Sequence, residues 1–310
     1  MYKILTFDGG GIRSIFQARI VERIRSELMP DFRADFYAGT SGGAIVAAAL
    51  AKGLSTSEII EFYRIECPKI FKPGNFIDQI ADQWDLTGAK YSNGPLKKAL
   101  EKIFEAATLG SILPRLLITS FDTNHPDGDW QGVVFHNFPA ASATPELSLV
   151  DALLRSSAAP TYFPVYQNYI DGGVWGNNPS MSGLAAALNK NVGRVDHENV
   201  ALLSIGTGRR PAKLKGTKKD LGKLDWLRKG VIDLGFDANI PAAHYYSSSL
   251  LGPAYYRLNV TLDREIALDD ARKVEDMLLI ADAVDLRPLA EWMQGFWDLK
   301  AKAPARMGVA

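Results

Sequence analysis

Ser41 lies in Gly39-Thr40-Ser41-Gly42-Gly43, where an apolar strand runs into an alanine-rich helix. This is the G-x-S-x-G pattern of a nucleophile elbow, a sharp strand-to-helix turn that lifts a serine hydroxyl toward a bound carbonyl. Gly39 and Gly43 flank the turn because it is crowded and its dihedrals are unusual. A nucleophilic serine implies acyl transfer, which also requires a proton acceptor and a source of positive potential for the carbonyl oxygen. Asp8-Gly9-Gly10-Gly11-Ile12-Arg13 offers the second. In such a glycine-rich turn successive backbone N–H groups can converge, and the helix that follows adds its positive dipole end. The loop matches neither the phosphate-binding G-x-x-x-x-G-K-[ST] nor the dinucleotide G-x-G-x-x-G pattern.

For the proton acceptor, histidine comes first. The chain has four: His125, His136, His197 and His244. None sits in a glycine-flanked turn after a strand, and each reads as a surface or structural residue. A triad in the order Ser, Asp, His would draw on His197 or His244 and stands as the alternative. Asp171 fits better. It follows the strand expected at Tyr166–Ile170 and precedes Gly172-Gly173. In an open parallel sheet the carboxyl ends of the strands line the ligand crevice, which would gather Asp171, Ser41 and the Gly9–Gly11 loop on one rim. A carboxylate can serve directly as general base within hydrogen-bond reach of the serine oxygen, provided that burial raises its basicity.

These residues need a scaffold, and the apolar pattern supplies one. Tyr2–Phe7, Asp35–Ala38, Arg115–Asp122, Gly132–Asn137, Tyr166–Ile170, Asn199–Ile205 and Tyr255–Val260 read as strands. Ile12, Phe16, Ile20, Ile24 and Leu28 mark one face of a helix that Pro30 ends. Ala44–Lys52 is apolar all round and reads as a buried helix stopped by Gly53. Ser55-Thr56-Ser57-Glu58 is a capping box. Pro95 starts a further helix, Ser148 caps the helix Leu147–Ser156, and Asn178-Pro179 opens another. Strands alternate with helices through about residue 210, the signature of a three-layer α/β/α fold with a mostly parallel central sheet. Residues 71–95 carry aromatic residues between turn signals, as loops that cover or shape a site do. No linker separates residues 211–310, so a single domain over 1–310 is expected, with that last third packed on the rest.

Of the 310 residues 47% are hydrophobic and 23% charged, ordinary for a globular protein that needs neither disulfide nor metal. The formal net charge is zero, which removes any global attraction to nucleic acid or anionic lipid. One marked basic stretch, 209–229, stands as a candidate dock for anionic head groups at a membrane surface, Lys218 and Lys219 among its charges; a solvated loop is the plainer reading. The lone Cys67 permits neither an intramolecular disulfide nor a cysteine metal site. No run of 18 apolar residues is present, so a transmembrane segment is not expected. With no signal peptide read before Tyr2, the expectation is a cytoplasmic protein, signal-independent secretion being the alternative.

The ordered set Asp8-Gly9-Gly10-Gly11-Ile12-Arg13, Gly39-Thr40-Ser41-Gly42-Gly43, Ser157-Ala158-Ala159-Pro160-Thr161-Tyr162-Phe163 and Asp171-Gly172-Gly173 resembles the patatin-like phospholipases. The resemblance covers about residues 1–210. It implies a patatin-like fold and a Ser–Asp dyad lipid acyl hydrolase that uses no metal and no cofactor. Ser41 would be the nucleophile and Asp171 the base. The amides of Gly9, Gly10 and Gly11 would form the oxyanion hole, and Arg13 would brace that loop or meet an anionic head group. Ser14 departs from the family, which usually has a further glycine there. The substrate implied is a phospholipid or lysophospholipid reached by peripheral membrane contact. Three other readings remain open: a signal-gated effector that stays idle until a ligand or partner binds the last third, a silent anion-binding module, and a non-lipid esterase or acyltransferase.

Overall fold

The computed structural model describes residues 1–72, 88–209 and 231–298. In chain order its main elements are β1 (Tyr2–Phe7), α1 (Ile15–Arg23), β2 (Phe36–Gly39), α2 (Ser41–Lys52), α3 (Thr56–Ile70), α4 (Asn93–Phe104), β3 (Arg115–Asp122) and β4 (Gln131–His136). Then follow α5 (Leu149–Ser157), β5 (Tyr169–Asp171), α6 (Gly173–Gly176), α7 (Ser180–Leu188), β6 (Val200–Ile205), α8 (Val231–Leu251), β7 (Tyr255–Leu258), α9 (Val274–Asp282) and α10 (Arg287–Phe296). Residues 73–87 of the aromatic segment lie outside the described residues, as does all of the basic stretch except Arg209.

Seven strands form one sheet in the order β4-β3-β2-β1-β6-β7, with β5 paired to β3. Pairings among β3, β2, β1, β6 and β7 are parallel, whereas β4 and β5 run antiparallel to β3. Alternation along each strand feeds two separate cores. Leu5, Phe7, Tyr37, Leu116, Ile118, Leu203 and Ile205 face the larger one, with the side chains of α1, α2 and α3. Ile4, Phe36, Ala38, Leu117 and Leu202 face the other, against Leu184 and Ala187 of α7. The sheet is thus covered on both faces, a three-layer α/β/α fold.

Local differences from the sequence reading have physical causes. The helix expected from Ile12 to Leu28 starts as a 3-10 turn at Gly11–Ser14 and ends in a wide π turn at Ile24–Leu28. Helix α2 starts at Ser41 itself, three residues before Ala44, because the elbow needs no separate linker. The capping box forms as expected, with the Glu58 amide donating to Ser55 Oγ (3.2 Å) and the Ser55 amide to Glu58 Oε2 (2.8 Å).

The C-terminal third is built into this frame. Strand β7 extends the sheet beside β6, and the fully buried Trp297 stacks on Phe32 with centroids 5.5 Å apart. From β7, Arg257 reaches across β6 to Asp8, where Nη1 donates to Oδ1 at 2.7 Å and Nη2 pairs with Oδ2. Arg257 Nη1 also donates to Ser204 Oγ at 2.7 Å. Asp8 is 1% exposed, so this is a buried ion pair at the root of the glycine loop. Breaking such a pair from one side leaves a buried charge uncompensated. Arg257→Met should therefore lower unfolding free energy by about 3–5 kcal/mol, read from urea denaturation. A loss below about 1 kcal/mol, the range of exposed pairs, would contradict this.

Candidate active site

A strand has two edges, and β3 shares one of them between two partners. β4 pairs with Leu117–Asp122 along one edge. On the other, β2 pairs from Arg115 to Ile118, ending with Gly39 opposite Ile118. β5 then comes from the opposite direction and ends with Asp171 opposite Ser120. The two strands meet head-on, so Asp171 lies level with the residue two beyond Gly39, which is Ser41. The expectation that Asp171 ends a parallel strand is therefore corrected: a three-residue antiparallel strand delivers it to the same rim. Phe7 pairs with both Gly39 and Ile205, which brings the Asp8–Gly11 loop and Thr207 to that rim too.

Ser41 adopts φ +52°, the left-handed region that a serine rarely occupies. The neighbourhood enforces it. The Ser41 amide donates to Ser156 Oγ (2.8 Å), and Thr40 Oγ1 bonds to Thr119 Oγ1 and to the Gly176 carbonyl, both at 2.7 Å. Tyr63 donates its hydroxyl to the Gly42 carbonyl at 2.8 Å. Gly43 sits so close to β1 that a side chain there would strike the carbonyl oxygens of Phe7 and Asp8.

The Ser41 side chain lies beside the Asp171 carboxylate and, as a hydrogen-bond donor, favours its charged form. The Gly173 amide donates to Asp171 Oδ1 at 2.7 Å. Asp171 is 1% exposed, and burial pushes its carboxyl up to about 7, although both hydrogen bonds favour the charged form. Much of that burial comes from residues that the sequence does not flag. Phe236 of α8 packs over Gly173, where a side chain would collide with its ring. Asn239 of the same helix donates to the Gly173 carbonyl (2.9 Å) and accepts from the Asn177 amide (2.8 Å). Nothing local distinguishes Phe236 or Asn239 from other helix residues, so only the tertiary fold reveals them.

The glycine loop lies beside this pair. Gly11 has φ +55°, and a side chain on it would meet the Leu268 carbonyl, which accepts the Ile12 amide at 2.8 Å. The Gly9 amide donates to the Asn177 carbonyl at 2.9 Å and is thus occupied in holding the Asp171 turn. The expected three-amide set narrows accordingly: among the described residues, the amides of Gly10 and Gly11 have no acceptor. Arg13 is buried, with Nη1 3.5 Å from the Gly208 carbonyl. Gly172 packs on Thr119.

Ser41, Asp171 and the three glycines open into one cleft. Ile45, Phe62, Cys67, Ile70, Leu96 and Phe163 make one flank apolar, while Arg13, Asp237 and Glu265 bring charge to its lining. The thiol of Cys67 is buried in that apolar wall, which pushes its pKa well up and leaves it inert. None of the four histidines lines the cleft. His125 pairs with Asp127, His136 with Ser142, His197 with the Leu250 carbonyl and His244 with Tyr255. The arrangement can activate a hydroxyl with a carboxylate and present backbone amides to a developing oxyanion.

The raised carboxyl has a consequence for folding. A folded value near 7 against 3.8 for the free side chain means that the folded chain holds this proton more tightly. The ionised form therefore costs stability above pH 7, and the cost fades as pH falls toward 4. Asp171→Asn keeps the shape without the charge. It should be more stable than the parent at pH 8 by a few kcal/mol, at ~1.4 kcal/mol per pKa unit, with little gain at pH 4. Urea denaturation at both pH values checks this, and equal stability at pH 8 would contradict it.

Comparison with known proteins identifies the family. Residues 5–183 match the family model for patatin-like phospholipase. CotR of Bacillus subtilis is 30% identical, over 96% of this chain and 99% of that protein. Patatin-like protein 2 of Arabidopsis thaliana is 28% identical over 91% of this chain and 81% of its own length. A cGAMP-activated phospholipase of Pseudomonas aeruginosa is 28% identical over 83% of this chain and 78% of its own. The matched span runs from β1 into α7 and contains Asp8, Ser41 and Asp171, and the chain belongs to the patatin-like phospholipase family of lipid hydrolases.

Proposed function

We propose that this chain cleaves fatty acyl esters of phospholipids or lysophospholipids, with Ser41 as nucleophile and Asp171 as general base. The observation that carries the reading is a serine at a positive-φ elbow beside a buried carboxylate in the same cleft, whose proton affinity burial raises close to neutrality. The substrate carbonyl enters beside Ser41. Asp171 takes the hydroxyl proton as Oγ attacks, and the Gly10 and Gly11 amides receive the oxyanion. The alcohol leaves with the proton from Asp171. Water then gives a proton to the same carboxylate, attacks the acyl-enzyme, and Ser41 leaves with that proton. The apolar flank holds the acyl chain. A phospholipid substrate implies peripheral contact with a bilayer. No described helix is long and apolar enough to cross a membrane.

A second reading has support from the Pseudomonas aeruginosa relative, whose name describes activation by cGAMP. In that reading the site stays idle until a small signal binds. Fatty acid release by the purified protein without any additive would reject it.

The test of the main reading is incubation with a mixed phospholipid extract, with released fatty acids and lysolipids measured by mass spectrometry. Ser41→Ala and Asp171→Asn should each lower release by roughly 10³-fold or more. Because the base works only when ionised, kcat/KM should rise with pH through a midpoint near 7. Release by Ser41→Ala at the parent rate, or a rate flat from pH 5 to 9, would contradict the assignment.

A further inference from the structure

Three aromatic rings gather along the apolar flank of the cleft, away from the nucleophile. Helix α3 forms the length of that flank. Tyr63 stands at the nucleophile end, where its hydroxyl is bonded to the Gly42 carbonyl. Cys67 and Ile70 follow four and seven residues on, along the same helix face, and both line the cleft. Phe71 caps the helix and lines it too. Phe163 meets Phe71 from outside α3, with ring centroids 5.9 Å apart. Tyr91 backs both rings, at 5.3 Å from Phe71 and 5.8 Å from Phe163. Its hydroxyl is pinned to Asp269 Oδ2 at 2.7 Å, and the Lys90 ammonium lies 5.3 Å from its ring centre. The three rings make an aromatic wall that is held from behind.

From Tyr63 to Phe71 the helix axis advances ~12 Å, at ~1.5 Å per residue. An extended alkyl chain advances ~1.25 Å per carbon, given C–C bonds of ~1.5 Å. We infer that the wall of Phe71, Phe163 and Tyr91 is a length stop, and that the cleft takes saturated acyl groups of about ten carbons in preference to longer ones. This rests on the cleft being the acyl-ester site proposed above. Up to the stop, each methylene gains burial worth about fourfold in affinity. Beyond it, further carbons must fold back or stay in water and gain nothing.

The experiment measures binding rather than turnover. Saturated fatty acids of six to sixteen carbons compete with a fluorescent fatty-acid probe for the Ser41→Ala protein. Affinity should climb about fourfold per added methylene and break near ten carbons. Adding Phe163→Ala or Phe71→Ala should move the break several carbons longer, and the bulkier Phe163→Trp should move it shorter. The opposite signs separate a stop from general damage to the fold. A break that stays put in every variant, a climb that continues through sixteen carbons in the parent, or no displacement at any length would each overturn the inference. Ester cleavage lost in Ser41→Ala together with an unmoved break leaves the proposed reaction standing and removes the stop. A moving break in a chain that cleaves no ester does the reverse.

Discussion

The site depends on one carboxylate that is buried without a countercharge. Asp8 and Asp171 stand on the same rim of the sheet, and each is 1% exposed. Asp8 faces the Arg257 guanidinium and is bound into the frame. Among the described residues, Asp171 meets the Ser41 side chain and the Gly173 amide but no cation, so desolvation dominates and its proton affinity rises toward neutrality. Burial raises the proton affinity of both aspartates, but at Asp8 the Arg257 guanidinium opposes the rise, whereas among the described residues no cation does so at Asp171. The paired aspartate fixes the glycine loop, and the unpaired one is left able to take a proton.

The strand geometry explains how such a carboxylate comes to face a serine far away in the chain. β2 gives up its edge of β3 at Gly39, and β5 takes that edge from the other direction. The elbow and the aspartate are therefore ends of two strands in one line, and their separation is set by the register of β3. Cross-links then remove the remaining freedom. Thr40 bonds to the Gly176 carbonyl, Gly9 to the Asn177 carbonyl, and Asn239 to both Gly173 and Asn177. The C-terminal third takes part directly, through Phe236 against Gly173, Leu268 at the glycine loop and Arg257 against Asp8.

The parts legible in the sequence are those whose physics is local. Apolar runs mark β1, β3 and β6, and Ser55 with Glu58 marks the start of α3 within a residue. The serine elbow and the glycine loop announce themselves because crowded turns demand glycine at fixed places. The place of Asp171 between an expected strand and Gly172-Gly173 favours it among the aspartates, and the family resemblance adds to that. Its antiparallel approach is not legible, since a three-residue strand carries too little pattern to show its direction. The engaged Gly9 amide is equally hidden, as its partner is a carbonyl 168 residues downstream. Arg257 and Asp8 lie 249 residues apart, and no local signal pairs them. Phe236 reads as any apolar helix residue until the fold sets it against Gly173.

The central claim concerns the proton affinity of Asp171 and can be measured without substrate. Aspartate labelled with ¹³C at the side-chain carboxyl, followed by NMR across pH and assigned by the spectrum of Asp171→Asn, reports its titration directly. The account predicts a midpoint near 7 for Asp171, shifted when Ser41 is replaced by alanine. A midpoint at the ordinary carboxylate value near 4 would contradict it, because such a group would be too weakly basic for the part given to it here.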